Sequence, residues 1–403
     1  MAHNPTVVEF DLPKKLVLAV AVPCILLIAI ESALRLLSVP KLLDRSGDKQ
    51  RVLEMPTWML REHSSKQKAA RIQGDASTIE WLNIFEEGPG FRARLKPNID
   101  RLISNTFSQI AADRNVKYQV SSNSLGFRGP EFKLPRQSDA FTIAIFGDSS
   151  SFGWGVNQDE TYSAVLGRAL KDRHPKRNIE VLNFAIPGDS SEYGKLIFDR
   201  YLEQVRPNLT ILGFGANDAK MVFKSHSKQV ALFRTQYGLQ ILNFWARKSA
   251  LFTTIRLLIE SLSSDPEPPL NTNMKRVHAV AKTRYRDNLA HMAEEAGRIN
   301  TGRALVLTLC TPGNYAKTAM QMATNRGHLF LNGQSYLIKL LPQIQAGKIH
   351  PDLVSEMRGR YGLDLAKNPI YYLTSDSCHP NQLGHRLIGE RLAELVSEAG
   401  VIR

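Results

Sequence analysis

The sequence predicts an α/β fold, a doubly wound parallel sheet with an N-terminal transmembrane helix ahead of it. Two observations support this prediction. From residue 141 onward, short apolar runs alternate with amphipathic stretches of helical length, a pattern typical of a parallel sheet covered by helices on both faces. Near the N terminus, residues 16–30 (LVLAVAVPCILLIAI) contain no charged side chain, which indicates a helix within a membrane.

The N-terminal helix is predicted over residues 16–39, which is long enough to cross a bilayer. Glu31 and Arg35 lie within it, four positions apart, where their side chains can pair on one face near the membrane interface. A cleaved signal peptide is the alternative, because the uncharged core is short. No small-x-small cleavage site follows cleanly, so we expect an uncleaved anchor behind a tail at residues 1–15.

The segment after the anchor differs in composition from the rest of the chain. Residues 40–117 are rich in charge and poor in long apolar runs, which predicts a stalk or linker with a short amphipathic helix near Ile79–Phe85. The main domain is predicted over residues 118–403. Its first segment, Tyr118–Phe132, alternates like a strand and then forms a turn cluster, so we expect it at the edge of this domain.

Four apolar runs predict strands of the main sheet: Phe141–Phe146, Glu180–Ile186, Leu209–Phe214 and Ala304–Leu309. Amphipathic stretches between and after them predict three helices: Thr161–Arg173, Tyr193–Val205 and Leu383–Glu398. Two insertions interrupt the alternation, at residues 219–275 and 313–375. The first holds an aromatic helix around Trp245 and a breaker-rich loop, and the second holds helices around Gln334–Leu341 and Leu353–Tyr361. Insertions at strand ends usually shape a substrate site.

The charge balance limits the classes of partner. The chain has 52 Lys and Arg against 38 Asp and Glu, a net charge of +14, which suits nucleic acid, an anionic membrane or an acidic polymer. No RNA or DNA motif occurs, and no basic helix is interleaved with aromatic residues. We therefore expect no nucleic-acid partner and a basic surface near lipid headgroups.

Three cysteines are too few for a disulfide framework. Cys24 lies in the apolar helix, so only Cys310 and Cys378 are able to pair. We expect two free buried thiols, with a Cys310–Cys378 disulfide as the alternative. No His, Asp or Cys spacing typical of a metal site appears, so no metal is expected.

Polar motifs follow the predicted strands at their carboxyl ends. The first strand is followed by Gly147-Asp148-Ser149, the second by a loop that reaches Gly188, and the third by Gly215-Ala216-Asn217-Asp218. Asp376-Ser377-Cys378-His379 precedes the last helix. In a doubly wound sheet such loops converge on one crevice.

These residue types suit acyl transfer. Serine is a weak nucleophile that needs a neighbouring base, so we predict Ser149 as the nucleophile and His379 as its base. Asp376 would orient the imidazole and stabilise its protonated form. The oxyanion would be held by the backbone N–H groups of Ser149 and Gly188 and by the side-chain amide of Asn217.

These four motifs, in this order, resemble those of the GDSL or SGNH hydrolase superfamily over roughly residues 140–398. The resemblance implies a flavodoxin-like sheet, no cofactor and a Ser-His-Asp mechanism. The chain contains the tripeptide Gly-Asp-Ser a second time, ending at Ser190. The family's order has a glycine motif between the nucleophile and the asparagine, and a nucleophile at Ser190 would leave none before Asn217. The resemblance therefore selects Ser149. Gly126-Phe127-Arg128-Gly129 and the anchor resemble a membrane-tethered bacterial subset of the family.

The expected function is a membrane-anchored serine esterase that acts on an ester, plausibly an O-acetyl ester of a glycan. Three alternatives stay open: an O-acyltransferase of the same fold, a lipase or lysophospholipase, and a non-catalytic glycan-binding or assembly protein. The expected partners are an acylated polysaccharide or lipid substrate and membrane lipid around residues 16–39.

Topology is left open by the charges that flank the anchor. Two basic residues precede it and four follow it: Lys14, Lys15, Lys41, Arg45, Lys49 and Arg51. A count of positive charges would place the following side in the cytoplasm. Short N-terminal anchors often leave the large domain outside, so we expect a single-pass protein with a periplasmic catalytic domain.

Five further residues near these motifs carry weaker expectations. Arg128 is interpreted as a partner in a structural salt bridge rather than a contact for an anionic substrate, Asp218 as a helix cap, and His385 as a structural or exposed residue. Phe152 and Trp154 are equally suited to lining an acyl pocket and to packing the start of a helix.

Overall fold

The computed structural model describes residues 14–43, 84–262 and 276–402, apart from gaps at 89–90, 106–107, 115, 137–138, 223, 236–237, 239–240, 242–245, 247 and 300–302. The chain divides into two compact units, one formed by residues 1–53 and 238–271 and the other by residues 54–237 and 272–403. Most of the predicted stalk, Trp245 and the breaker-rich loop lie outside the described residues.

The described elements are numbered along the chain. The strands are β1 (Phe85–Gly88), β2 (Phe91–Leu95), β3 (Asp100–Ser104), β4 (Lys117–Ser121), β5 (Phe141–Gly147), β6 (Ile179–Asn183), β7 (Leu209–Gly213), β8 (Met221–Val222), β9 (Val277–His278), β10 (Arg303–Thr308) and β11 (Leu329–Asn332). The α-helices are α1 (Lys14–Leu36), α2 (Val39–Leu43), α3 (Ser149–Phe152), α4 (Tyr162–Arg173), α5 (Ser191–Val205), α6 (His226–Thr235), α7 (Ala250–Leu262), α8 (Lys282–Ile299), α9 (Gly313–Asn325), α10 (Gly333–Gln345), α11 (Pro351–Lys367) and α12 (Gln382–Glu398).

The first unit contains α1, α2 and α7. Within α1, residues Ala19–Leu36 have a mean hydropathy of 2.0, and none of this window is buried, so by length and composition the helix is able to cross a membrane. The Glu31 carboxylate accepts hydrogen bonds from Arg35 at 2.6 Å and from the backbone N–H groups of Ala250 and Leu251 at 2.9 Å. Glu31 therefore pairs with Arg35 as predicted and also caps the first turn of α7.

The second unit is built on a five-stranded sheet with the order β11-β10-β7-β5-β6, and every neighbouring pair is parallel. Taken in chain order, β5 to β11 therefore follow the flavodoxin-like arrangement 2-1-3-4-5. The strand order reverses between β5 and β7, because β6 lies on one side of β5 and the later strands lie on the other. Such sheets bind their ligands at this switch point. The predicted doubly wound parallel fold is confirmed.

Both faces of the sheet are buried, because successive side chains of a strand point to opposite sides. Ile143 and Ile145 of β5 pack with α4, α10, α11 and α12 in one core. Ala144 and Phe146 of the same strand pack with α5, α8 and α9 in the other core. Because both faces of β5 are buried, its sequence is apolar throughout. A search for alternating apolar and polar residues would therefore not identify this strand.

The residues before β5 form two antiparallel pairs, β1–β2 and β3–β4. Their buried side chains pack with Phe152, Trp154 and Ala185 in a third core. The short helix predicted near Ile79–Phe85 does not extend to Phe85, because Phe85 begins β1. Residues 79–83 of this predicted helix lie outside the described residues. The predicted boundary between residues 117 and 118 falls inside β4, and the domain boundaries stay a prediction.

The predicted strands and helices of the main sheet are confirmed to within a few residues at their ends. The strand β11, which forms one edge of the sheet, was not predicted, because Leu329–Asn332 is too short to give a distinct apolar run. The predicted strand over Glu180–Ile186 begins at Ile179 and ends at Asn183, and the residues that follow form a loop up to α5.

Candidate active site

Ser149 lies at the first turn of α3, directly after β5. Asp148 caps this helix, since its carboxylate accepts a hydrogen bond from the Ser150 N–H at 2.9 Å. Gly147 fits here because a Cβ would meet the Ser151 side chain and the Gly213 carbonyl of β7. The close approach of β5 and β7 therefore sets where Ser149 emerges from the sheet. Ser149 is partly exposed, although the residues on either side of it are buried.

His379 and Asp376 reach Ser149 from the loop before α12. The Ser149 Oγ lies 2.7 Å from the His379 Nε2, and the His379 Nδ1 lies 2.6 Å from the Asp376 Oδ2. The other carboxylate oxygen of Asp376 accepts the backbone N–H groups of His379 at 2.7 Å and Cys378 at 3.1 Å. These contacts hold the carboxylate against the imidazole.

The environment of Asp376 favours its charged form. Burial raises the pKa of this carboxyl, but hydrogen bonds from the His379 ring and from two backbone N–H groups outweigh that effect. The pKa of Asp376 therefore lies below its ordinary value. A carboxylate that stays ionised is able to stabilise a protonated imidazole beside it.

Gly188 and Asn217 lie in the loops that follow β6 and β7. Gly188 has a φ of 79°, a conformation that glycine adopts without strain, and it is partly exposed between buried neighbours. Asn217 is buried, and its side-chain Nδ2 donates a hydrogen bond to the Asp189 carbonyl at 3.0 Å. An amide nitrogen carries two donors, so this contact leaves one donor of Asn217 for another acceptor.

The sequence comparisons agree with this geometry. Residues 145–328 match the model of the GDSL-like Lipase/Acylhydrolase family. We refer to the unit that contains this span as the GDSL domain, after the family model that it matches. The model ends at residue 328, so the match does not include Asp376 and His379.

Curated relatives of this GDSL domain include an arylesterase of Vibrio mimicus, 26% identical over 98 residues, which are 23% of this chain and 48% of the relative. Esterase TesA of Pseudomonas aeruginosa is 31% identical over 85 residues, 21% of this chain and 41% of the relative. The chain spans less than half the length of these relatives.

Solved structures also align with the GDSL domain. The crystal structure of TesA aligns with 64% of this chain and 98% of its own, with 15% identity and a TM-score of 0.37. The esterase EstA from Pseudoalteromonas sp. aligns with 64% of this chain and 98% of its own, with 17% identity and a TM-score of 0.36.

A disulfide joins Cys310 and Cys378, so the expectation of two free buried thiols is wrong. Cys310 follows β10 with a φ of 53°, and Cys378 directly precedes His379. The Cα atoms are 4.8 Å apart, although 68 residues separate them along the chain. The bond therefore ties the His379 loop of the GDSL domain to the carboxyl end of a central strand. Asp376, Cys378 and His379 offer metal-ligand atoms within 4.8 Å of one another, but a disulfide sulfur is not a thiolate ligand.

Arg128 forms no salt bridge with a described carboxylate, contrary to the prediction. Its buried guanidinium donates instead to the backbone carbonyls of Gln119 at 2.9 Å, Phe152 at 3.2 Å and Val156 at 2.6 Å. It also contacts the Gly153 carbonyl and the Gln158 side chain. Burial lowers the pKa of Arg128 to about 10. Arg128 therefore fixes the loop that leaves α3.

Other predicted residues of the GDSL domain take structural positions. His385 is fully buried, and its Nδ1 accepts the Tyr162 N–H at 3.1 Å, which confirms a structural role. The Asp218 carboxylate accepts the Ser191 N–H at 3.1 Å, so Asp218 caps the start of α5, a helix that begins 27 residues earlier in the chain. Phe152 and Trp154 both pack in the third core, and the Trp154 ring centre lies 6.1 Å from that of His379.

Two polar contacts of the GDSL domain were not predicted. Arg92 of β2 forms a buried ion pair with Asp189, and the Ser190 Oγ lies 2.8 Å from the His226 Nδ1. No local signal identifies either contact. Arg92 alternates with Phe91 and Ala93 in a charge-rich segment and has the pattern of a solvated strand face, and its partner lies 97 residues away.

Proposed function

We propose that this protein is a membrane-anchored serine esterase that hydrolyses an ester through Ser149, His379 and Asp376. The observation that carries the proposal is the continuous contact from the Ser149 Oγ through the His379 ring to the Asp376 carboxylate, over 2.7 and 2.6 Å. These distances are within hydrogen-bond reach for nucleophile activation. The partial exposure of Ser149 leaves its Oγ accessible to a substrate.

The geometry supports a two-step reaction. In the first step, the His379 Nε2 takes the proton of the Ser149 hydroxyl while the Oγ attacks the ester carbonyl carbon. The tetrahedral intermediate collapses, the ester C–O bond breaks, and the protonated His379 gives its proton to the alkoxide leaving group. In the second step, His379 takes a proton from water, and the resulting hydroxide attacks the acyl-Ser149. Collapse releases the carboxylic acid, and Ser149 regains its proton from His379.

The oxyanion of each tetrahedral intermediate would be held by the N–H groups of Ser149 and Gly188 and by the Asn217 amide. Ser149 lies at the first turn of α3, where backbone N–H groups have no acceptor within the helix. Among the described residues, no group accepts the Gly188 N–H. Each such donor typically contributes about 10² to 10³ in kcat.

Several substrates fit this mechanism. We favour a short acyl group, an O-acetyl ester of a glycan, because the Trp154 ring lies beside His379 and takes up space next to the base. An O-acyltransferase shares the acyl-Ser149 step and differs only in the acceptor that replaces water. A lipase or lysophospholipase would need room for a long acyl chain beside the same serine.

We also propose that the esterase domain lies outside the cytoplasm, in the periplasm, and that α1 anchors the protein in a single pass. The exposed apolar surface of α1 needs a lipid environment, and the capping of α7 by Glu31 accounts for the acidic side chain within this helix. The Cys310–Cys378 disulfide supports an oxidising compartment, because cytosolic thiols are kept reduced.

The experiment uses the full chain in detergent micelles. An alkyl fluorophosphonate should label Ser149, identified by peptide mass spectrometry, and the protein should cleave p-nitrophenyl acetate faster than the octanoate. A labelled protein that prefers the octanoate would point to the lipase instead. The absence of both labelling and turnover would favour the non-catalytic glycan-binding protein.

A further inference from the structure

Arg92 belongs to β2, outside the five-stranded sheet and before the span that matches the family model. Its guanidinium is buried and contacts the loop between β6 and α5. The Nε donates to the Asp189 carboxylate at 3.1 Å, the Nη2 lies 3.0 Å from the same oxygen, and the Nη2 also donates to the Pro187 carbonyl at 3.2 Å. One side chain therefore binds the residues on both sides of Gly188.

The same loop is also attached to the main sheet. The Ile186 N–H donates to the Gly147 carbonyl at the end of β5, at 3.0 Å, and the Asp189 N–H donates to the Ile186 carbonyl at 3.1 Å. Arg92 contacts the loop at Pro187 and Asp189 in addition. Gly188 is the partly exposed residue between buried Pro187 and buried Asp189, so its N–H is presented by a loop that is held on each side.

Asp189 links this attachment to the second proposed donor. Its carboxylate receives Arg92, and its backbone carbonyl accepts the hydrogen bond of the Asn217 Nδ2 at 3.0 Å. A displacement of Asp189 would therefore move Gly188, its neighbour in the chain, and would also release the Asn217 amide. Gly188 and Asn217, two of the proposed oxyanion donors, are thus both linked to the buried Arg92–Asp189 ion pair.

We propose that Arg92 is a positioning residue for the oxyanion hole, which it organises by fixing Asp189 and Pro187 on either side of Gly188. This inference rests on the proposed esterase function. The planar guanidinium suits the role, since its donors are fixed in one plane and reach two acceptors at once, whereas a lysine ammonium reaches them only as a point charge. The β1–β2 pair therefore contributes one side chain, that of Arg92, to the positioning of the oxyanion hole.

A stabilising role alone is a weak explanation for this ion pair. Removing charges from water costs free energy that a buried pair only partly recovers, so such pairs seldom stabilise a fold more than apolar residues would. Preorganised donors, by contrast, act on the transition state, where a displacement of about 1 Å is able to lower the rate about 10²-fold.

Arg94 provides a matched control, because it lies on the same strand two residues later and also forms an ion pair. Its guanidinium binds Glu86 at 2.7 Å, and its Nη1 lies 3.5 Å from the Leu125 carbonyl. Neither partner belongs to a catalytic loop. Arg92→Met and Arg94→Met thus replace the same side chain on one strand, and the first variant removes the contacts with Pro187 and Asp189.

The experiment measures kcat and KM for p-nitrophenyl acetate on full-length variants, with thermal unfolding as a check on folding. We expect Arg92→Met to lower kcat about 10² fold with KM within about twofold, and Arg94→Met to stay within about twofold of wild type in both constants. Arg92→Lys keeps the charge, so its kcat should lie between those of wild type and Arg92→Met. If Arg92→Met does not fold, the loss of kcat in Arg92→Lys serves as the test.

A double-mutant cycle with Asn217→Ala tests the route through the oxyanion hole. If Arg92 acts by placing the donors, its effect on kcat should shrink by at least about tenfold in the Asn217→Ala background, since part of the hole is already lost. Full additivity, or equal kcat values for the Arg92→Met and Arg94→Met variants of an active esterase, would overturn the inference and leave the proposed function intact. A wild-type protein without turnover would overturn the function first.

Discussion

The chain contains the tripeptide Gly-Asp-Ser twice, and the two copies lie in comparable places. Gly147-Asp148-Ser149 follows β5, Gly188-Asp189-Ser190 follows β6, and each copy immediately precedes or enters a helix of the same unit. Each serine also meets a histidine at hydrogen-bond distance, Ser149 at 2.7 Å and Ser190 at 2.8 Å. The tripeptide itself and the serine–histidine distance therefore fail to separate the two copies, and in the sequence only the order of the motifs favours Ser149.

Their surroundings separate them clearly. Ser149 is partly exposed, and the ring of its partner His379 is held by the Asp376 carboxylate. Ser190 is fully buried, and no hydrogen bond joins the ring of its partner His226 to a described carboxylate. Burial, with the charges of Arg92 and Lys220, lowers the pKa of His226 to about 3. A serine–histidine contact is thus insufficient for catalysis, which also needs substrate access and an orienting carboxylate.

The largest expected difference lies between the two serines. Ser149→Ala should lower kcat for p-nitrophenyl acetate by about 10⁴-fold or more, because it removes the proposed nucleophile. Ser190→Ala should leave kcat within about threefold, because a buried hydroxyl that bonds a neutral imidazole takes no part in the reaction. Steady-state kinetics on both variants checks this, with fluorophosphonate labelling as a second readout. Comparable losses in the two variants would contradict our assignment of the copies.

The second expected effect concerns the orienting carboxylate. Asp376→Asn should lower kcat by about 10³ to 10⁴-fold with little change in KM, because an amide there favours the wrong tautomer of His379. The measurement is the kinetics of the folded variant over a range of pH, compared with wild type. Near wild-type turnover would mean that His379 needs no orienting carboxylate, and the main difference from His226, which has none among the described residues, would no longer explain the assignment.

The third expected effect concerns the Cys310–Cys378 disulfide, which tethers the loop of His379 and not the segment of His226. Replacing both Cys310 and Cys378 by Ser should lower kcat roughly tenfold by loosening this loop, and it should destabilise the domain by about 4 kcal/mol through a more disordered unfolded chain. Kinetics and urea unfolding of the double variant measure both effects. Cys24→Ser, which removes the free cysteine of α1, is the control and should match wild type.

The smallest expected effect is a change in the pH dependence of stability at His226. Its pKa of about 3 in the folded protein is below the ordinary value of 6.5, so the unfolded chain binds a proton more readily. His226 therefore lowers stability as pH falls from about 6.5 towards 3, by up to about 1.4 kcal/mol per pH unit. Urea titrations of His226→Asn should show a shallower loss of stability over this window. An unchanged dependence of stability on pH would mean that water reaches the His226 ring in the folded protein. The contrast between the buried Ser190–His226 pair and the partly exposed Ser149–His379 pair would then weaken.

Local sequence patterns were sufficient for much of the fold. The apolar run at Phe141–Phe146 and the amphipathic stretch at Leu383–Glu398 match β5 and α12 closely. Such patterns are local because a strand buried on both faces must be apolar throughout, and a helix that covers a sheet must be apolar on one side. The motifs at the strand ends then indicated which loops would meet and predicted that Ser149, His379 and Asp376 lie together.

The remaining features depend on contacts between distant parts of the chain. Cys310 pairs with Cys378 across 68 residues, and Arg92 meets Asp189 across 97. Neither residue of either pair carries a local mark of its partner, since a thiol and a guanidinium look the same in sequence whether paired or free. By itself, the sequence determined the strand–helix order and the chemistry at the strand ends. The order of the motifs favoured Ser149 over Ser190. Only the tertiary structure decided which of the two serines is partly exposed and meets a histidine that a carboxylate holds, because exposure and pairing follow from how separate segments pack.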